Sequence, residues 1–167
     1  MEQRYRLAVL TEGTWRPVRY GDVFGLEERW LAAAPDEQPI ELLITLLDAA
    51  SPPYRLELEV LEPEGLDAVE GQVFAVGEFD REELTAWLRD KAPLLESDAR
   101  LAVIVHGSRH ERIVYDEHNR LLLNGPIESY EQLLMARGIM PGDPSVPFPH
   151  VHQYRADLTD RIAGLIA

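Results

Sequence analysis

Between Tyr54 and Val60 apolar and charged residues alternate strictly, with Tyr54, Leu56, Leu58 and Val60 separated by Arg55, Glu57 and Glu59. Successive side chains of a strand point to opposite faces, so this stretch predicts a strand with one dry and one wet face. Residues 99–108, ARLAVIVHGS, form the most hydrophobic run and predict a central strand. Leu101, Val103 and Val105 would fill one of its faces, with Ala102 and Ile104 on the other. Residues 72–79, QVFAVGEF, predict a third strand beside these two. Near the N-terminus two strands flank Glu12-Gly13, and Pro17, which lacks an N–H, places the second at an edge. Residues 111–126 read as a hairpin, with Asp116 to Asn119 supplying the turn.

Helical spacing appears in five places. Val23, Leu26, Trp30, Leu31 and Ala34 form one stripe, with Asp22 placed as an N-cap. Ile40, Leu43, Ile44 and Leu47 fit a helix that starts at Pro39 and stops before Pro52; a buried strand is the alternative there, and length favours the helix. Asp80 and Glu83 stand at capping-box spacing ahead of Leu84, Trp87 and Leu88. Pro126 opens a helix that turns Ile127, Tyr130 and Leu134 inward and stops at Gly138. Leu158, Ile162 and Leu165 mark a short last helix, after a proline-rich loop over residues 139–154. Trp30 and Trp87 are expected in the core.

Strands and helices mix without a regular β-α-β alternation. The expected class is therefore α+β, a mixed, largely antiparallel sheet with helices packed on its faces. The acidic stretch from Glu62 to Gly71 could divide the chain, but each part would be small, so one domain over residues 1–167 is expected.

Composition narrows the function more by exclusion than by assignment. The net charge is −14, which opposes binding to a phosphate backbone, so no nucleic-acid partner is expected. There is no cysteine, which removes thiolate chemistry and cysteine zinc sites. No apolar run reaches the roughly 18 residues of a membrane span, and the first residues turn polar too soon for a signal peptide, so a soluble cytoplasmic protein is expected, with no membrane partner. The charge is uneven: residues 1–84 hold 19 acids and 7 arginines, residues 85–167 hold 11 acids and 9 basic residues. Acidic segments of this kind suit a basic protein partner through electrostatic complementarity.

No phosphate-binding glycine loop, dinucleotide fingerprint, H-E-x-x-H or G-x-S-x-G motif is present. The sequence therefore points first to an acidic binding or interaction protein without catalytic activity and without a cofactor. The alternative rests on the histidines, all five of which lie beyond residue 84. His150 and His152, two apart among prolines, would share one face of an extended segment, and His106 and His110 lie at a strand end and the turn beyond it. Neutral imidazoles bind zinc and similar divalent transition metals, and Asp116, Glu111, Asp143 or Asp157 could complete a site made from His106, His110, His150 and His152. Such a centre would serve a metal-dependent hydrolase. Histidines more often bond locally or face water, and the sequence alone does not bring the two pairs together. Ser108 lies beside His106 but reads as part of a Gly-Ser turn rather than as a nucleophile.

Overall fold

The computed structural model describes residues 4–167. Two sheets and four helices make an α+β fold. In chain order the strands are β1 (Leu7–Thr11), β2 (Thr14–Pro17), β3 (Val23–Glu27), β4 (Trp30–Ala34), β5 (Tyr54–Val60), β6 (Val73–Phe79), β7 (Leu101–His106), β8 (Arg112–Tyr115), β9 (Leu121–Asn124), β10 (Met140–Pro141) and β11 (His150–His152). The helices are α1 (Pro39–Leu46), α2 (Arg81–Leu95), α3 (Ile127–Ala136) and α4 (Thr159–Leu165). The large sheet has eight strands in the order β10-β3-β4-β9-β8-β7-β5-β6. All its pairs are antiparallel except β10 with β3, which makes it mixed. The small sheet runs β11-β1-β2, all antiparallel. Among the described residues no helix is long and apolar enough to cross a membrane.

The alternation in β5 does what the pattern predicts: Tyr54, Leu56, Leu58 and Val60 are buried and Arg55 is exposed. Opposite them, Leu101, Val103 and Val105 of β7 face the same core, which Ile113, Tyr115, Leu121 and Leu123 extend. Ile40 and Leu43 of α1, Leu84 and Leu88 of α2, Tyr130 and Leu134 of α3 and Ile162 of α4 close over this face. Burying one such leucine contributes about 1.5–3 kcal/mol. Both predicted caps of α2 are made: Asp80 accepts from the Glu83 N–H at 2.8 Å, and Glu83 accepts from the Asp80 N–H at 3.0 Å. The N-terminus of α1 has no side-chain cap of its own; Glu96, just past α2, accepts from the Ile40 N–H at 3.2 Å.

Three expectations change. Residues 23–34 form the β3–β4 hairpin, not a helix. Their apolar residues satisfy a helical stripe only because a two-residue turn at Glu28-Arg29 sits between two strands; Phe24 and Leu26 in fact lie opposite Ala33 and Leu31. Gly25 explains why the strand needs no side chain there, since a Cβ would meet the Gly142 carbonyl oxygen at 2.7 Å. Asp22 caps no helix: its backbone is left-handed (φ 54°) and its carboxylate accepts from the Asp36 N–H. Trp30 and Trp87 are half-buried rather than core, Trp30 lying under the Arg112 guanidinium, 5.6 Å from its ring centre. Finally, residues 139–154 are not simply a loop. They carry β10 and β11, and β11 brings the C-terminal histidines onto β1.

Candidate metal centre

The centre is built where the small sheet meets the β8–β9 turn of the large one. In β11, His152 lies opposite Leu7 and His150 opposite Val9, so both imidazoles share one face, as their spacing predicts. Leu7 on that face is fully buried, which turns it toward the protein. The third imidazole, His118, comes from the β8–β9 turn, and its position follows from local chemistry. Asp116 accepts from the N–H groups of His118 and Arg120, both at 2.9 Å, and Asn119 takes a left-handed conformation (φ 63°) that its short polar side chain tolerates. The turn is then pinned from outside. Tyr20 donates its hydroxyl to the His118 carbonyl at 2.7 Å, and the buried Arg6 guanidinium donates to the Asp116 carbonyl at 3.0 Å while stacking on Tyr115. The backbone carbonyl of Arg6 accepts from the Gln153 N–H at 2.7 Å, so the same residue braces β11.

The three rings form a nearly equilateral triangle. Ring centres are 5.3 Å apart for His118–His150, 5.2 Å for His118–His152 and 5.3 Å for His150–His152. Each offers a nitrogen, and these lie within 4.8 Å of one another. With zinc–nitrogen bonds of about 2.0–2.1 Å and about 1.1 Å from nitrogen to ring centre, three imidazoles in a tetrahedral set have centres about 5.2 Å apart.

Hydrogen bonds also orient the nitrogens. His150 Nδ1 lies 2.8 Å from the Pro147 carbonyl; a carbonyl only accepts, so Nδ1 carries a hydrogen, and in the neutral ring Nε2 is the nitrogen with the lone pair. His118 Nδ1 faces the carboxylates of Asp116 and Glu117 at 3.7 and 3.8 Å, which leaves Nε2 for the cluster. Backbone carbonyls and carboxylates behind the ligating imidazoles are the usual outer support of a histidine metal site. Asp116 and Glu117 stand on the Nδ1 side of His118, in the position of such support. His152 Nε2 is buried and has no hydrogen-bond partner among the described residues. Burial, and then the neighbouring His118 ring, lower the pKa of His152 and favour its neutral, ligating form. Phe148, 82% exposed, stands 4.5 Å from the His150 ring, and Tyr154 lies 6.3 Å from that of His152.

Of the four histidines singled out from the sequence, the structure brings together His150 and His152. His106 ends β7 opposite Arg112, the first residue of β8, whereas His118 follows the last residue of that strand. His106 instead bonds to the Glu57 carboxylate at 2.8 Å, and Arg55 meets the other oxygen of Glu57 at 3.1 Å. His110 is an exposed turn residue with φ 70°. Among the candidate carboxylates only Asp116 adjoins the cluster. Glu111 accepts from the Ser51 and Arg109 N–H groups, Asp143 from Ser145, and Asp157 from Arg155. Ser108 donates its hydroxyl to the Pro52 carbonyl, the turn role expected of it. Sequence reasoning did not group His118 with His150 and His152, having seen only a turn residue. Comparison with models of known protein families, with curated proteins and with solved structures finds no match.

Proposed function

We propose that the protein binds one divalent transition metal of the zinc class through His118, His150 and His152 and uses it in hydrolysis. The observation that carries this reading is the triangle of imidazoles with sides of 5.2–5.3 Å. Its burial pattern adds support. All three residues are half-buried, so a fourth position would open toward solvent, as in catalytic rather than structural zinc sites. An ion held in this way lowers the pKa of a bound water to about 7 and supplies hydrolytic chemistry at neutral pH.

The test is metal binding by the full chain without a histidine tag, followed by zinc titration and by the absorption bands of cobalt(II) in a tetrahedral site. One ion per chain is expected. Binding should fall by about tenfold or more in His118→Ala, His150→Ala and His152→Ala and persist in His106→Ala and His110→Ala. Loss of binding in the last two with retention in the first three would overturn the assignment, as would absence of binding at micromolar metal.

The acidic surface supports a second, separate proposal, an interaction with a cationic protein segment. Glu64, Asp67 and Glu70, in the loop between β5 and β6, are exposed and form no ion pair among the described residues. Salt-sensitive binding of an arginine-rich peptide, lost when the three are replaced by Gln, Asn and Gln, tests it.

A further inference from the structure

We infer that the metal centre takes an anionic ester, a phosphate ester, and that Arg16 is the residue that selects it. The inference rests on the metal reading above and adds to it a residue from the far strand of the small sheet.

Register places Arg16 in the site's own row. Arg16 of β2 lies opposite Val9 of β1, and Val9 lies opposite His150 of β11. Residues directly opposite one another share a face, so Arg16, Val9 and His150 project from the same side of the sheet, as do Leu7 and His152. Neighbouring strands are about 4.8 Å apart, which puts Arg16 and His150 about 10 Å apart along the backbone. An extended arginine on one side and an imidazole with its ion on the other would bracket a phosphate group across that width.

The face has a gradient. Leu7 and Val18, opposite each other at one end, are buried; Val9, His150 and His152 are half-buried; Arg16 is exposed. The metal cluster therefore sits where the buried part of the face opens, and Arg16 stands at the open side. The Arg16 guanidinium forms no ion pair or hydrogen bond among the described residues. In a chain with 30 acids against 16 basic residues, an unpaired guanidinium on this face is a distinct feature. The other positions on the face are Leu7, Val9 and Thr11 of β1, Thr14 of β2 and Val18 just beyond it, with no carboxylate to claim it. Of the two acids beside His118, Asp116 is already engaged by Arg120 at 3.2 Å, and Glu117 lies on the Nδ1 side of the ring.

The chemistry matches phosphate better than a neutral ester. A guanidinium offers parallel N–H donors in a fixed fork that fits two phosphoryl oxygens, and a neighbouring Lewis acid takes a third. In the reaction, the oxygen of a water bonds to phosphorus, the ester phosphorus–oxygen bond breaks, and one proton of the water leaves with the alcohol. No oxidant or reductant is needed.

The experiment uses the zinc-loaded full chain with p-nitrophenyl phosphate and p-nitrophenyl acetate as probes. Turnover of the phosphate is expected. Arg16→Ala should lower the ratio of kcat/KM for phosphate over acetate about tenfold, mostly through KM, and Arg16→Lys should recover part of it. Inorganic phosphate should inhibit the native protein more strongly than Arg16→Ala. Arg29→Ala, in the β3–β4 turn, serves as the charge-matched control. Zinc uptake is measured on every variant, so the two readings fail separately. Absence of zinc binding sinks the metal centre. Zinc binding with no phosphate turnover, or with a ratio unchanged in Arg16→Ala, overturns the phosphate assignment alone.

Discussion

On the large sheet, β5 and β7 are covered by helices that contribute leucines, isoleucines and a tyrosine to one apolar cluster. On the small sheet, Leu10 and Trp15 lie opposite each other on the outer face at 42% and 47% exposure, and Val151 on the same face is 44% exposed. The inner face is half-closed by histidines, and the main buried brace of this region is a charged side chain, Arg6. The first region is held by area removed from water. The second is held by a few directed hydrogen bonds and by its neighbours. The stabilising core and the candidate centre are thus placed in different parts of the molecule, and the centre lies at the seam, with one histidine from the large sheet and two from the small.

The sharpest way to break this comparison is to damage each region in turn. Leu58→Ala removes a fully buried side chain from the apolar cluster and should cost about 2–5 kcal/mol in urea unfolding. If the regions are as separate as proposed, the folded fraction of that variant should still gain stability from zinc, by about 2.7 kcal/mol at a hundredfold excess over Kd. A zinc increment lost along with the core would show that the site depends on the cluster after all.

Arg6→Met attacks the seam. It keeps most of the volume but leaves the carbonyls of Leu95 and Asp116 without their donor. A loss of about 2–4 kcal/mol is expected. Zinc affinity should fall as well, because the His118 turn and β11 lose their shared brace. Unchanged zinc affinity in a folded Arg6→Met protein would remove Arg6 from the account of the site.

The smallest effect sharpens the picture on the helical side. Burial raises the pKa of Glu96, against the Ile40 N–H and Arg4, which lower it. A carboxyl whose folded pKa is raised stabilises the fold most below its unfolded pKa, and that contribution is lost as pH rises through the folded value. Glu96→Gln keeps an acceptor for Ile40 but cannot ionise. Its stability relative to the native protein should therefore rise between acid and neutral pH, measured by thermal unfolding across that range. A relative stability that falls with pH would mean that the Arg4 pair at 3.5 Å outweighs desolvation.

Where the chain's signals are local, the sequence is readable. Asp80 and Glu83 cap α2 as their spacing implies, and the alternation of Tyr54 to Val60 orients β5. Residues 23–34 mislead because a hairpin with a two-residue turn reproduces a helical period, and only the pairing with β9 and the close approach of Gly142 distinguish the two. The centre was half legible. The two-apart spacing of His150 and His152 fixes a shared face wherever the segment is extended. His118 could not be paired with them, because that requires knowing that β11 joins β1 and that β1 packs beside the β8–β9 turn. His106 and His110 were grouped with them as imidazoles at a strand end and the turn beyond it, and the length of β8 separates that end from the His118 turn.

The register of Leu7 opposite His152 has a consequence in time. A ribosome releases β1 long before β11, so β1 must wait for its partner while the strands and helices between them are made. Closing so long a loop is entropically costly until the intervening core has folded and drawn the ends together. The three imidazoles therefore converge only as a late event, after His118 is already fixed in its turn. On the proposed reading, a nascent chain has no complete site with which to capture an ion, and metal loading would follow synthesis rather than guide it.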